Sequence, residues 1–108
     1  MWKARISVPS KVSPGTAVTV KTLIAHPMET GFRRDAIGAA IPRDILTRFE
    51  ARFMDEFVFG ADLHPGIAAN PYLSFEFVPP ASGTLALMWR DQRGQEVRET
   101  LSIEIAAT

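Results

Sequence analysis

Few side chains in this sequence are equipped for chemistry, and the two histidines come first. Each precedes a proline, as His26-Pro27 and His64-Pro65, and each has a carboxylate nearby, Glu29 and Asp62 respectively. Two imidazoles with one or two carboxylates are a donor set for zinc or non-haem iron. Their spacing follows no metal-binding motif, however, and a plainer role stands beside it: each histidine ends a strand and hydrogen-bonds the loop backbone. Thiol chemistry is excluded, because the chain has no cysteine; there is no disulfide framework, thiolate metal site, iron–sulfur cluster or cysteine nucleophile. A Gly-x-Ser-x-Gly nucleophile motif and a glycine-rich phosphate loop are both absent, and no carboxylate pair stands out for glycosidase-type chemistry. With no catalytic or metal-binding motif in the sequence, the expectation is a protein that is not an enzyme and holds no metal or cofactor.

The charged residues point to contacts rather than catalysis. Nine arginines stand against three lysines, with Arg33-Arg34-Asp35 followed by Arg43, Arg48 and Arg52. The planar guanidinium binds carboxylates bidentately and suits interface ion pairs, although ordinary surface charge would look the same. The 12 Lys+Arg balance 12 Asp+Glu for a formal net charge of zero, so no basic excess exists to neutralise the phosphates of a nucleic acid. No apolar run approaches the ~20 residues of a membrane helix.

The 108 residues fit one domain, 1–108, and period-2 alternation organises it. Ala4, Ile6 and Val8 alternate with Lys3, Arg5 and Ser7. Val18, Val20, Thr22 and Ile24 form a β-branched run that Pro27 stops. From Pro27 to Pro42 no periodicity holds; this long connection is either a simple crossover or a functional loop. Arg43 to Met54 fits a helical stripe (Ile45, Leu46, Phe49, Phe53) as well as a strand (Ile45, Thr47, Phe49, Ala51, Phe53), and the all-strand surroundings favour the strand. Phe57 and Phe59 alternate with Glu56 and Val58 after a turn at Asp55-Glu56, and Gly60 to Pro71 reads as loop. Leu73, Phe75 and Phe77 make a half-buried strand; Leu85, Leu87 and Trp89 another; Asp91-Gln92-Arg93-Gly94 a hairpin turn; Val97, Leu101, Ile103 and Ile105 the last strand, with Glu99 out of place on its apolar phase. About seven strands joined by Pro/Gly turns predict an all-β, immunoglobulin-like antiparallel sandwich. Ala86 and Met88 place apolar side chains on the face of their strand that should meet water, and Met1, Trp2 and Phe32 could extend such a patch; exposed apolar patches mark protein contacts.

The block Lys21-Thr22-Leu23-Ile24-Ala25-His26-Pro27-Met28-Glu29-Thr30-Gly31, followed by Arg33-Arg34-Asp35, resembles the signature of the SoxZ family. Ile41-Pro42-Arg43 before a Phe-bearing strand, and His64-Pro65 followed by Ala69-Asn70-Pro71-Tyr72-Leu73, resemble it too. The resemblance implies a small immunoglobulin-like sandwich that does no chemistry itself and forms a tight heterodimer with SoxY. That partner carries sulfur intermediates of thiosulfate oxidation on a cysteine in a Gly-rich C-terminal arm and docks transiently to the other Sox enzymes. The sequence start, Met1-Trp2-Lys3-Ala4-Arg5, shows no charged segment leading into an apolar block. The resemblance accordingly implies export to the periplasm as a folded passenger of a signal-bearing partner. The residues expected to contact that partner are His26, Pro27, Met28, Glu29, Thr30, Gly31, Phe32, Arg33, Arg34 and Met88. Two other readings stay open on the residues: a chaperone- or adhesion-type sandwich binding an extended peptide at a sheet edge, and a small metal-dependent redox enzyme using His26 and His64.

Overall fold

The computed structural model describes residues 3–26, 28, 34–39, 44–63 and 70–106. Alternation of β-branched and polar residues produces strands here, because each buries one row of side chains and leaves the other in water. In chain order these are β1 (Ala4–Ser7), β2 (Lys11–Val12), β3 (Val18–Ile24), β4 (Leu46–Phe53), β5 (Glu56–Asp62), β6 (Tyr72–Phe77), β7 (Gly83–Asp91) and β8 (Glu96–Ile105). They form a three-stranded sheet, β1-β3-β6, facing a five-stranded sheet, β2-β8-β7-β4-β5. All pairings are antiparallel except β2 with β8. The expected β-sandwich is present, with eight strands rather than about seven; β2 adds a parallel pair, Lys11 opposite Glu104 and Val12 opposite Ile105.

The core lies between the sheets. Val18, Val20 and Ile24 of β3, Phe75 of β6, Phe49, Ala51 and Phe53 of β4, Leu85, Leu87 and Trp89 of β7, and Ile103 of β8 are all buried. Phe49 sits at the centre, its ring centroid 5.2 Å from Trp89 and 6.1 Å from both Phe59 and Phe75. Phe59 and Phe75 stack 4.9 Å apart. Thr22, on the core phase of β3, donates its hydroxyl hydrogen to the Leu73 carbonyl at 3.1 Å, which satisfies a polar group that burial would otherwise penalise.

Two bulges explain where simple alternation misleads. The β4–β7 register slips between Leu46 and Arg48, so Leu46 opposes Asp91 and Arg48 opposes Arg90. Thr47 is the extra residue, and its hydroxyl reaches the Arg90 and Asp91 carbonyls at 3.4 and 3.3 Å. The slip buries Leu46 and Phe49 three residues apart, a helical spacing inside a strand. The second slip lies on β5: Ala51 opposes Phe59 while Arg52 opposes Phe57, leaving Val58 as the extra residue. Phe57 and Phe59 therefore do not share a face, contrary to their period-2 spacing. Phe59 turns inward and Phe57 outward. The turn before them falls at Met54-Asp55, both at positive φ (53° and 66°), one residue earlier than expected. β5 then continues to Asp62, beyond the expected start of the loop at Gly60. Glu99 stands opposite Leu87 and remains exposed, so its place on the apolar phase buries no charge.

Candidate interaction surfaces

Three regions carry the side chains singled out above or left exposed by the fold. The first is the end of β3. The backbone N–H of His26 donates to Asn70 Oδ1 at 2.9 Å, and the Asn70 N–H returns to the His26 carbonyl at 2.6 Å. Asn70 holds a positive φ of 52°, which asparagine tolerates better than most residues. This clamp drives the imidazole inward, where it is fully buried. Nδ1 accepts the Met28 N–H at 3.0 Å, and Nε2 stands 3.5 Å from Asp44 Oδ1. Burial pushes the His26 pKa below its ordinary 6.5, opposed by the charges of Asp44 and Asp91 and by the hydrogen bond to Asp44. Met28, with φ 51°, is also buried; its sulfur accepts the Leu46 N–H at 3.2 Å.

His26 and Met28, expected as surface contacts, thus point into the chain's own core. The physical reason is that the strand phase of Val18 to Ile24 runs on to His26, and the positive φ at Met28 folds its side chain back over β4. Arg34 is exposed, and its Nη1 donates to the Gly38 carbonyl at 2.8 Å. That closes a small loop whose centre is Asp35 Oδ1, accepting from the N–H groups of Ile37 and Ala39 at 3.0 Å each. Pro27, Glu29, Thr30, Gly31, Phe32 and Arg33, together with Met1, Trp2 and His64, lie outside the described residues.

The second region is the outer face of β5-β4-β7-β8. Registers place Arg48 opposite Asp62 and Arg90, Arg90 opposite Glu96, and Met88 between Glu50 and Arg98. Arg48 reaches Asp62 at 3.0 Å and Glu50 at 3.2 Å, and Arg52 reaches Glu50 at 3.4 Å. Glu96 holds Arg90 and Arg98, each at 2.7 Å. Those two arginines keep the Glu96 carboxyl below its usual range, and Asp62 with Glu50 raises the Arg48 guanidinium. Met88 forms the floor of a depression of about 340 Å³ and is only 8% exposed, because long charged side chains cover it with their stems. The apolar residues on this face are real, and the chain's own arginines shield much of them.

The third region was not foreseen. Met54, Phe57 and Val78 are each about half exposed, at 50%, 53% and 52%. With Phe77 and Pro80 they line a groove of about 470 Å³ between the β4–β5 hairpin tip and the end of β6. The only sequence signal for it was the unmatched count of residues across the hairpin that creates the Val58 bulge.

Among the described residues no group of three or more His, Cys, Asp or Glu side chains is placed to hold a metal ion, and no helix is long and apolar enough to cross a membrane. The two-sheet architecture defines the chain as an immunoglobulin-like β-sandwich. Its structural relatives include superoxide reductase (neelaredoxin) from Ignicoccus hospitalis (TM-score 0.73, 17% identity, 96% of this chain and 80% of that chain covered). A putative superoxide reductase from Thermotoga maritima is similar too (TM-score 0.74, 13% identity, 96% and 86% covered). So is the sulfur carrier protein SoxY from Chlorobium limicola f thiosulfatophilum (TM-score 0.67, 14% identity, 94% and 74% covered). At these identities the likeness is one of fold. No curated protein matches the chain in sequence. The family model described as sulphur oxidation protein SoxZ matches residues 6–102. The chain belongs to the SoxZ family, and its role lies in the sulfur-oxidation (Sox) system.

Proposed function

We propose that this chain is the non-catalytic subunit of a sulfur carrier complex. It binds SoxY, whose C-terminal cysteine arm holds the sulfur intermediates of thiosulfate oxidation, and supplies a rigid body from which that arm is presented to the other Sox enzymes. The family match over residues 6–102 carries this reading. Two features of the chain support it. The sequence has no cysteine, so covalent sulfur carriage must reside on another chain and no thiolate here competes for the cargo. The two sheets share one continuous buried core, and a rigid anchor raises the effective concentration of a tethered arm at a docked enzyme.

Within this reading the His26–Arg34 segment contributes to the partner contact. His26 and Met28 shape it from inside the core, while Arg34 and the Met88 face meet the solvent side. The complex works in the periplasm, reached in the folded state with a signal-bearing partner. Co-expression of this chain with a tagged SoxY tests the proposal: equimolar co-purification is expected. Recovery of tagged SoxY alone, with this chain soluble in the flow-through, would contradict it.

A further inference from the structure

Three features at one end of the sandwich act together to expose apolar side chains. Met54 and Asp55 hold positive φ (53° and 66°), as the two-residue turn between the paired Phe53 and Glu56 requires, and the turn presents the Met54 side chain at the surface. The extra residue Val58 rotates Phe57 out of the core phase, and bulges commonly re-aim a side chain in this way. Two glycines then seat the exposed groups. A Cβ on Gly83 would lie 2.5 Å from Met54 Cγ, and one on Gly60 would lie 2.7 Å from Phe57 Cζ. Arg52 lies over the Phe57 ring, 5.8 Å from its centroid. Met54 and Phe57 are thus held in place while half exposed, with Val78 and Pro80 across the groove from them.

The area and the charge indicate what covers this groove. Half-exposed Met54, Phe57 and Val78 offer roughly 300 Å² of apolar surface, the size of a functional patch on a small protein. That is most of the apolar centre of a standard interface of about 800 Å² per side. Glu56 lines the groove and Asp55 precedes it in the chain; both are exposed, and neither has a cationic partner among the described residues. Among the described residues β5 is also the terminal strand of its sheet, with no strand paired on its outer side.

We propose that the groove between the β4–β5 hairpin tip and the end of β6 is a second seat of the partner sandwich, at the opposite end of β4 from Met28 of the His26–Arg34 segment, taking an apolar side chain with a basic residue beside it. This rests on the carrier-subunit reading above. The test is the affinity of purified SoxY for this chain and for Val78→Asp, Phe57→Ala and Glu56→Lys, with Lys11→Ala on β2, the edge of the five-stranded sheet farthest from β5, as control. All four positions are exposed, and thermal melts verify the folds. Val78→Asp and Phe57→Ala are expected to weaken binding at least tenfold and Glu56→Lys several-fold, with Lys11→Ala unchanged. If SoxY binds the parent chain and both apolar variants within twofold of each other, the groove assignment is wrong while the carrier reading stands. If SoxY does not bind the parent chain at all, both fall. If this chain alone has twice its 11.9 kDa mass and Val78→Asp returns it to a monomer, the occupant is a second copy and the proposal is overturned.

Discussion

Met54 occupies the space a side chain on Gly83 would need: a Cβ there would stand 2.5 Å from Met54 Cγ and 3.1 Å from Phe53 Cζ. The glycine lets the hairpin tip close onto β7. Gly83→Ala is therefore expected to destabilise the protein by about 1–3 kcal/mol, as overpacking does. In a Met54→Gly background the penalty should fall to under about 1 kcal/mol, since the nearer obstacle is gone. Urea unfolding of the four proteins of this double-mutant cycle measures it. Equal penalties in both backgrounds would show that the two residues do not compete for space.

The buried His26 makes stability depend on pH. Its folded-state pKa lies below the ordinary 6.5 because burial disfavours the imidazolium. As pH falls through 6.5 the unfolded chain takes up a proton that the folded chain resists, so the folded state loses stability on the acid side and keeps it above that range. His26→Gln removes the titration. Between about pH 7.5 and 5 the parent should lose more unfolding free energy than the variant; parallel pH profiles would refute the assignment.

Asp91 organises the β7–β8 turn. Its Oδ1 accepts the backbone N–H groups of Arg93 and Gln95 at 2.9 and 2.8 Å, while Oδ2 is buried with no hydrogen-bond partner among the described residues. Asp91→Ala is expected to cost about 1–3 kcal/mol by orphaning those donors. Asp91→Asn keeps the accepting oxygen and should retain most of the stability. A loss from asparagine as large as from alanine would mean that the carboxylate charge, rather than the turn hydrogen bonds, is what matters.

Much of the fold was legible because alternation reports burial directly. The runs at Val18–Ile24, Leu73–Phe77 and Leu85–Trp89 needed only period-2 counting to place them, and Asp91 to Gly94 was readable from turn chemistry, with Gly94 at φ 83°. The helix-like stripe at Ile45, Leu46, Phe49 and Phe53 came from the Thr47 bulge, which changes spacing without changing secondary structure. Phe57 was assigned to the wrong face because an extra residue on one strand shows only when its partner is aligned beside it. The candidate site was less legible still. His26 and Met28 stand out in a loop-like stretch between prolines and glycines, but only the Asn70 clamp and the positive φ at Met28 determine that both turn inward. Those are contacts between residues far apart in the chain, which a local pattern does not encode. Met88 had the opposite fate: its outward position followed from alternation, while the arginine stems that cover it come from β4 and β8.

The central claim is that this cysteine-free sandwich is one half of a carrier complex, and calorimetric titration of the purified chain with SoxY tests it most directly. One-to-one binding with a Kd below about 1 μM is expected for a stable heterodimer. An absence of binding at tens of micromolar, with both proteins folded, would contradict it.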